Sequence, residues 1–335
     1  MKIAQVNPPF RLPSDPTQWI TVPPQGYGGI QWVVATLIDG LLAARCEVVL
    51  LGAPGNPSVK GLSVTDVTDS LAVADWLAGN RVDVVHDHTN GDLLPTRVTA
   101  PMLSTFHLTG APRRRANCVY VSRAQRALAG SAGAPAIALP VNPSRYLFSS
   151  RKRDYLLFLG RVSRHKGAKE AAAFAAAAGL PLWMAGPSWE PDYLAEVLNS
   201  YPGTVEYLGE VGGPQRLEYI AHARAVLVMS QPVPGPFGEV WSEPGATVVS
   251  EAAVSGTPVV STGNGCLPEI VPGVGTVLPD GTLEGMTASD AEKILAGLPD
   301  AAEVRAVALE RWGHERVARR YIHAYERVSR GETWL

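Results

Sequence analysis

DYLLFLGRVSRHKGAKEAAAFA, residues 154–175, joins an apolar strand to an alanine-rich helix through a basic turn. The pattern makes Asp154 to Gly160 a strand and starts the helix at about Gly167. Arg161 and Lys166 fall in the turn between them. Backbone N–H groups and the positive end of a helix dipole already favour an anion at such a place, and two added cations suit a diphosphate. The plainer alternative makes both residues solvated loop charges.

The same alternation extends in both directions. Downstream come PLWMAG, a helix, TVEYLG, a helix, AVLVMS and TPVVS. Upstream the chain opens with KIAQVN, then Ile30, Val33, Val34, Leu37, Ile38, Leu41 and Leu42 at helical spacing, then the strands EVVLLGA, VDVVH, MLSTF and CVYVS. Strands alternating with helices predict a mostly parallel sheet covered on both faces. The pattern starts afresh after Ser149 to Arg153, which divides the chain into two doubly wound α/β domains, 1–149 and 150–314. Ligands of open α/β sheets bind beyond the carboxyl ends of the strands, so two such domains facing each other would share one cleft. A long Pro- and Gly-rich loop, Phe10 to Gly29, separates the first strand from the first helix, and loops of that length inside a compact domain are usually functional or mobile.

The composition fits compact globular domains: 335 residues, 46% hydrophobic, 18% charged. A net charge of -2 argues against a general binder of nucleic acid or of a membrane surface. Cys46, Cys118 and Cys266 are odd in number and form no C-x-x-C pattern, which fits a reducing compartment and gives no zinc motif. No apolar run reaches the length of a membrane span and no signal peptide is evident, so a cytoplasmic protein is expected.

EPGATVVSEAAVSGTPVV, residues 243–260, sets Glu243 just before a helix start and Glu251 about two turns into the helix, so the two carboxylates need not share a face. The structural alternative makes Glu251 a polar helix residue and Glu243 an acidic first-turn residue. His107 ends the strand MLSTF, where a lone histidine is commonly a structural hydrogen-bonding residue. His86 and His88 alternate on a strand end and point to one side, as two metal ligands do, but no third ligand is evident. Gly28 and Gly29 open the first helix, where a backbone without side chains allows close approach of a phosphate or an acceptor, or merely eases entry into the helix. The first β-α turn has no Gly-x-Gly-x-x-Gly, which weighs against a dinucleotide-dependent dehydrogenase. Cys266 has no histidine beside it in sequence and reads as an ordinary loop thiol. The run Arg113 to Arg115 reads as a solvated loop or as a contact for an anionic acceptor or lipid headgroup.

The GG-containing loop, the VHDH and STFH strand ends, VSRAQR, GRVSRHKG between a strand and a helix, the pair Glu243 and Glu251, and LPEIVPGVGTVL stand in this order along nearly the whole chain. Together they resemble glycosyltransferase family 4, retaining nucleotide-sugar enzymes of the GT-B fold, in which two Rossmann-like domains face each other across a cleft. The resemblance implies roles. Arg161 and Lys166 take the diphosphate, Glu243 the hydroxyls of the donor sugar, and Glu251 the ribose hydroxyls. Glu210 and Val211, in TVEYLGEVGG, lie where the backbone reads the base. Ala246 and Thr247 offer backbone N–H groups, although Gly245, Ala246 and Thr247 replace the Phe-Gly-Leu common in the family. His107 sits beside the transferred sugar, and Gly28 and Gly29 line the N-terminal side of the cleft. The stretch RWGHERVARRYIHAYERVSRG resembles the final helix, 315–335, that packs back on the N-terminal domain.

The expectation is a metal-independent transferase without a cofactor, moving a sugar from a nucleoside diphosphate sugar to a small-molecule or oligosaccharide acceptor. A soluble acceptor is preferred to a membrane one. A sugar-nucleotide epimerase or phosphorylase on the same fold, or a two-lobed ligand-binding protein, are the competing readings.

Overall fold

The computed structural model describes residues 1–12, 15–26, 28–55, 61–65, 68–94, 98–113, 115–236 and 238–335. The chain divides into two compact units, Met1–Asn142 with Trp312–Leu335 and Pro143–Arg311. The sequence places the boundaries at 149/150 and after 314; the structure moves both. Pro143–Arg145 forms a 3-10 turn, and Ser149 N donates to the Ser255 carbonyl, which ties residues 143–149 to the second unit. The Val141 N–H bonds the Trp312 carbonyl at 2.8 Å and the His314 N–H bonds the Val141 carbonyl at 3.0 Å, which ties the returning chain to the first.

Unit 1 contains β1 (Lys2–Val6), α1 (Gly29–Ala43), β2 (Glu47–Leu51), β3 (Leu62–Val64), α2 (Ser70–Gly79), β4 (Val84–Asp87), β5 (Met102–Phe106), β6 (Cys118–Tyr120) and α3 (Arg123–Leu128). Its strands form one parallel sheet in the order β3-β2-β1-β4-β5-β6. Alternate residues of the buried strands serve opposite cores. Ile3, Val48, Val84 and Leu103 meet the apolar face of α1, whereas Ala4, Val6, Val49 and Val85 meet Val73 of α2. Burying each large side chain contributes on the order of 1.5–3 kcal/mol.

Unit 2 contains β7 (Leu156–Leu159), α4 (Ala168–Ala178), β8 (Leu182–Ala185), α5 (Pro191–Ser200), β9 (Val205–Gly209), α6 (Gly213–His222), β10 (Ala225–Val228), α7 (Thr247–Val254), β11 (Val259–Ser261), α8 (Leu267–Ile270), β12 (Gly275–Val277), α9 (Ala288–Ala296) and α10 (Ala301–Trp312), the last of which ends in unit 1. The strand order β12-β11-β10-β7-β8-β9 repeats that of unit 1, again parallel throughout. Ala168, Ala171, Ala172 and Ala175 form the buried stripe of α4 with Phe174, and their small size lets the helix lie close on Leu156, Phe158 and Leu227.

The last helix, α11 (His314–Ser329), belongs to unit 1. Val317, Tyr321, Ala324, Tyr325 and Val328 are buried against α1 and the sheet. Gly40 of α1 permits a close approach, because a Cβ there would lie 2.5 Å from the His314 carbonyl oxygen and 2.8 Å from the Cβ of Ala318. Among the described residues, no helix is long and apolar enough to cross a membrane.

Candidate functional site

In both sheets the connections run to opposite sides after the first and fourth strands in the order of the unit, which opens a crevice at their carboxyl ends. In unit 2 those ends are Gly160 and Arg161 after β7, and Met229 and Ser230 after β10. The turn after β7 continues through a 3-10 helix, Arg164–Lys166, to Gly167 at φ 72°, which also opens α4. Gly167 is required twice over: its backbone is left-handed, and a Cβ would overlap the Met229 carbonyl. Gly167→Ala is expected to cost about 3 kcal/mol or more, read as a fall in the urea midpoint of unfolding with unchanged slope.

That close approach brings Lys166 to Glu243. Glu243 Oε2 accepts from Lys166 Nζ at 2.6 Å, Ser230 Oγ at 2.6 Å and Trp241 Nε1 at 3.2 Å. The Glu243 side chain is only 5% exposed and that of Lys166 25%. Burial pushes the Glu243 carboxyl up, but the Lys166 ammonium and the two neutral donors outweigh it and hold the group below its ordinary 4.5. The loop 263–266 clamps the backbone of the glutamate. Glu243 N donates to Asn264 Oδ1 at 2.7 Å, Cys266 N donates to the Glu243 carbonyl at 2.9 Å, and Asn264 Nδ2 donates to the Trp241 carbonyl at 3.0 Å. Gly265, at φ 59°, lies so close that a Cβ would overlap the Glu243 backbone.

Arg161 lies flat on Trp189, its Cζ 3.7 Å from the ring centre. Lys166 Nζ stands 4.4 Å from the centre of the Trp241 ring, which also packs on His165 at 4.8 Å. Burial first, then the charges of Lys166 and Arg161, push His165 down to about 4, so it is neutral at pH 7 and leaves the two cations as the local positive charge. The sequence gives Lys166 and Glu243 separate partners; in the structure each is the partner of the other.

Glu251 sits one turn into α7, not two, because the helix begins at Thr247. Its Oε2 accepts from Arg216 Nη2 at 2.6 Å and its Oε1 from the Tyr146 hydroxyl at 3.0 Å. The Arg216 and Glu251 side chains are 11% and 7% exposed. Ala246 caps α7 without any side-chain hydrogen bond, so neither it nor Thr247 brings a side chain to the first-turn N–H groups. Beyond β9, Glu210 is exposed and Val211 is buried, two residues before α6.

In unit 1, Gly28 is the N-cap of α1, where a Cβ would lie 3.1 Å from atoms of Ile20 and Pro24. A Cβ on Gly29 would meet nothing within 4 Å. Tyr27 between Gly26 and Gly28, and Arg114 in the triple arginine, lie outside the described residues. His107, partly exposed, follows β5, and its Nε2 lies 2.9 Å from His88 Nδ1. His88 Nε2 is 2.8 Å from Gln5 Oε1, and Gln5 Nε2 is 3.2 Å from the Tyr325 oxygen. His86 Nδ1 is 2.8 Å from the same Tyr325 oxygen and its Nε2 is 2.7 Å from Thr105 Oγ1, which is 3.0 Å from the Tyr321 hydroxyl. All four ring nitrogens of His86 and His88 are therefore engaged by protein groups, and among the described residues no three His, Cys, Asp or Glu gather as metal ligands. Burial pushes His86 and His88 far below 6.5 and His107 to about 4, so all three are neutral at pH 7.

Ser230, Trp241, Asn264, Arg216, Tyr146, Gln5 and Tyr325 escape the sequence reading. The only local signal for them was position: Ser230 lies two residues past a strand, and Trp241 precedes Glu243 by two residues.

Residues 153–296 match the family described as glycosyl transferases group 1. The crystal structure of AviGT4, a glycosyltransferase involved in avilamycin A biosynthesis, is 53% identical, with a TM-score of 0.95 over 100% of this chain and 99% of that one. Sucrose-phosphate synthase from Thermosynechococcus elongatus shares the GT-B fold at 16% identity and a TM-score of 0.74, covering 99% and 100% of the two chains. Anabaena Alr3699/HepE, solved in complex with UDP-glucose, shares it at 16% identity and 0.67, covering 97% and 99%. No curated protein matches the chain by sequence.

Proposed function

Because the chain belongs to the group 1 glycosyltransferases, we propose that it moves a sugar from a nucleoside diphosphate sugar to a small-molecule acceptor hydroxyl, retains the anomeric configuration and uses no metal ion. The observation that carries this reading is the Lys166–Glu243 pair at the crevice of unit 2, with Arg161 beside the same turn. The Lys166 side chain keeps 25% exposure, so its ammonium meets a diphosphate while staying bonded to Glu243. The guanidinium of Arg161, Lys166 and the first N–H groups of α4 then stabilise the negative charge that grows on the departing diphosphate, the task a divalent cation performs in other enzymes. Glu243, held through Oε2, offers Oε1 to a sugar hydroxyl, and Glu251, fixed by Arg216 and Tyr146, offers remaining lone pairs to the ribose.

Retention proceeds by front-face displacement. The bond from the anomeric carbon to the phosphate oxygen breaks, the acceptor oxygen bonds the same face, and the acceptor proton passes to the leaving phosphate oxygen. No protein nucleophile takes part. The role of AviGT4 in avilamycin A biosynthesis supports a small-molecule acceptor, and the UDP-glucose complex of HepE supports a nucleoside diphosphate sugar as donor.

The first test is a thermal-shift panel of UDP, GDP, ADP and dTDP. One of them at a hundred times its Kd stabilises the native protein by about 2.7 kcal/mol and raises Tm accordingly. A flat panel, repeated with the matching nucleotide sugars, would remove the proposed donor class. NMR of the product formed with the preferred donor then reads the anomeric configuration, and an inverted linkage overturns the front-face route.

A further inference from the structure

The polar side chains of unit 1 form one line of contacts running from His107 through His88, Gln5 and Tyr325 to His86, Thr105 and Tyr321. All but the partly exposed His107 are buried, with Gln5, His86 and Tyr325 at 0% exposure. A neutral imidazole has one donor and one acceptor nitrogen, so fixing the direction of one bond in such a line fixes its neighbours. Whereas the hydroxyls of Tyr325 and Thr105 can also accept from both sides, the segment from Gln5 to His107 is left with two proton arrangements, each the reverse of the other. Gln5 decides between them, because its amide presents a donor on one side and an acceptor on the other. The 3.2 Å separation of Gln5 Nε2 from the Tyr325 oxygen suits an amide N–H donor and is long for a phenolic O–H donor, which sits near 2.7–2.8 Å.

We propose that Gln5 and Tyr325 are positioning residues that fix the tautomer of His107. Gln5 Nε2 donates to Tyr325, whose hydroxyl donates to His86 Nδ1. Gln5 Oε1 accepts from the N–H at His88 Nε2, which leaves His88 Nδ1 to accept from the N–H at His107 Nε2. His107 Nδ1 is then a lone pair. It meets a neutral hydroxyl and disfavours a phosphate oxygen, whereas the reversed line would present an N–H there and welcome an anion. Two strands and α11 thus set the hydrogen-bonding sense of a residue on a third strand end.

The inference rests on the proposed function only in taking that hydroxyl to belong to a sugar. Its test does not depend on catalysis. Two-bond proton–nitrogen correlation spectra of protein labelled with ¹⁵N-histidine, at neutral pH, are expected to show His88 and His107 protonated at Nε2. Protonation of His107 at Nδ1 in the wild-type protein overturns the proposal, whether or not any variant folds. Tyr325→Phe keeps the packing and frees Gln5 to turn, so His107 is expected to lose its single-tautomer signature. Gln5→Glu, which still accepts from His88, is expected to keep the Nε2 tautomer, and Gln5→Leu to lose it. A folded Tyr325→Phe or Gln5→Leu protein with the wild-type tautomer removes the positioning role. In the transfer assay, Tyr325→Phe is expected to raise about fivefold the KM of the substrate whose hydroxyl meets His107, with little change in kcat, the effect of roughly one hydrogen bond. If no form of the protein transfers sugar, the proposed function fails while the tautomer result stands.

Discussion

Replacing Lys166 by alanine is expected to lower sugar transfer by roughly 100- to 1000-fold, the usual effect of removing one preorganised group that stabilises developing charge. The same substitution leaves the Glu243 carboxylate buried without its cation and is expected to cost about 2–3 kcal/mol of stability, less than the roughly 3–5 kcal/mol for breaking a fully buried pair because Lys166 keeps some exposure. pH separates this pairing from a general packing loss. In the native protein the Glu243 carboxyl lies below its ordinary 4.5, so its stabilising contribution is complete above that pH and disappears as pH falls through the depressed value. In Lys166→Ala, burial is no longer offset by the ammonium, the carboxyl titrates higher, and the native state takes up a proton the unfolded chain has lost. The stability difference between the two proteins should therefore widen from about pH 4 to about pH 7 in urea unfolding. A difference independent of pH would show that Glu243 does not feel Lys166. Glu243→Gln, by contrast, is expected to lose turnover while keeping free nucleoside diphosphate affinity close to wild type.

Arg216→Ala is expected to destabilise unit 2 by about 3–5 kcal/mol, because Glu251 would then be a buried carboxylate with only the Tyr146 hydroxyl as partner. Removing the two charges together should hurt far less. Arg216→Met with Glu251→Leu replaces the pair with side chains of similar volume, and such replacements range from neutral to stabilising. The double-mutant cycle reads the coupling directly, and additive losses would show that the 2.6 Å contact does not exist in solution. Tyr146→Phe, which removes one donor, should cost about 1 kcal/mol. The charge-free double variant is expected to be folded and yet weak for nucleotides, since the ribose would meet no carboxylate.

The sequence was informative wherever a decision was local. Buried strands such as Leu156–Leu159 and Ala225–Val228 read as short apolar runs because both faces of a parallel sheet are covered. The three-residue strands Leu62–Val64 and Gly275–Val277 did not, being short and without fully buried residues. The turn holding Arg161 and Lys166 was recognisable from its charges and its place before a helix. Its carboxylate partner was not, because Lys166 and Glu243 are 77 positions apart and meet only where β7 and β10 lie side by side. Arg216 and Glu251 are likewise joined through tertiary packing, on α6 and α7. Gln5 is one polar residue in an apolar strand and carries no local signal of its role. Its importance depends on parallel register, which sets it opposite His86 on a strand 81 residues later.

Unit 1 encloses all of unit 2 within its own sequence, with α11 supplied after residue 311. On the ribosome the second unit can therefore complete its core while the first still exposes the face of α1 around Gly40, where Val34, Leu37, Ile38 and Leu41 await Val317, Ala318 and Tyr321. Translation order and maturation order are thus opposed: the half made first is finished last, and the hydroxyl of Tyr325 arrives with that final helix.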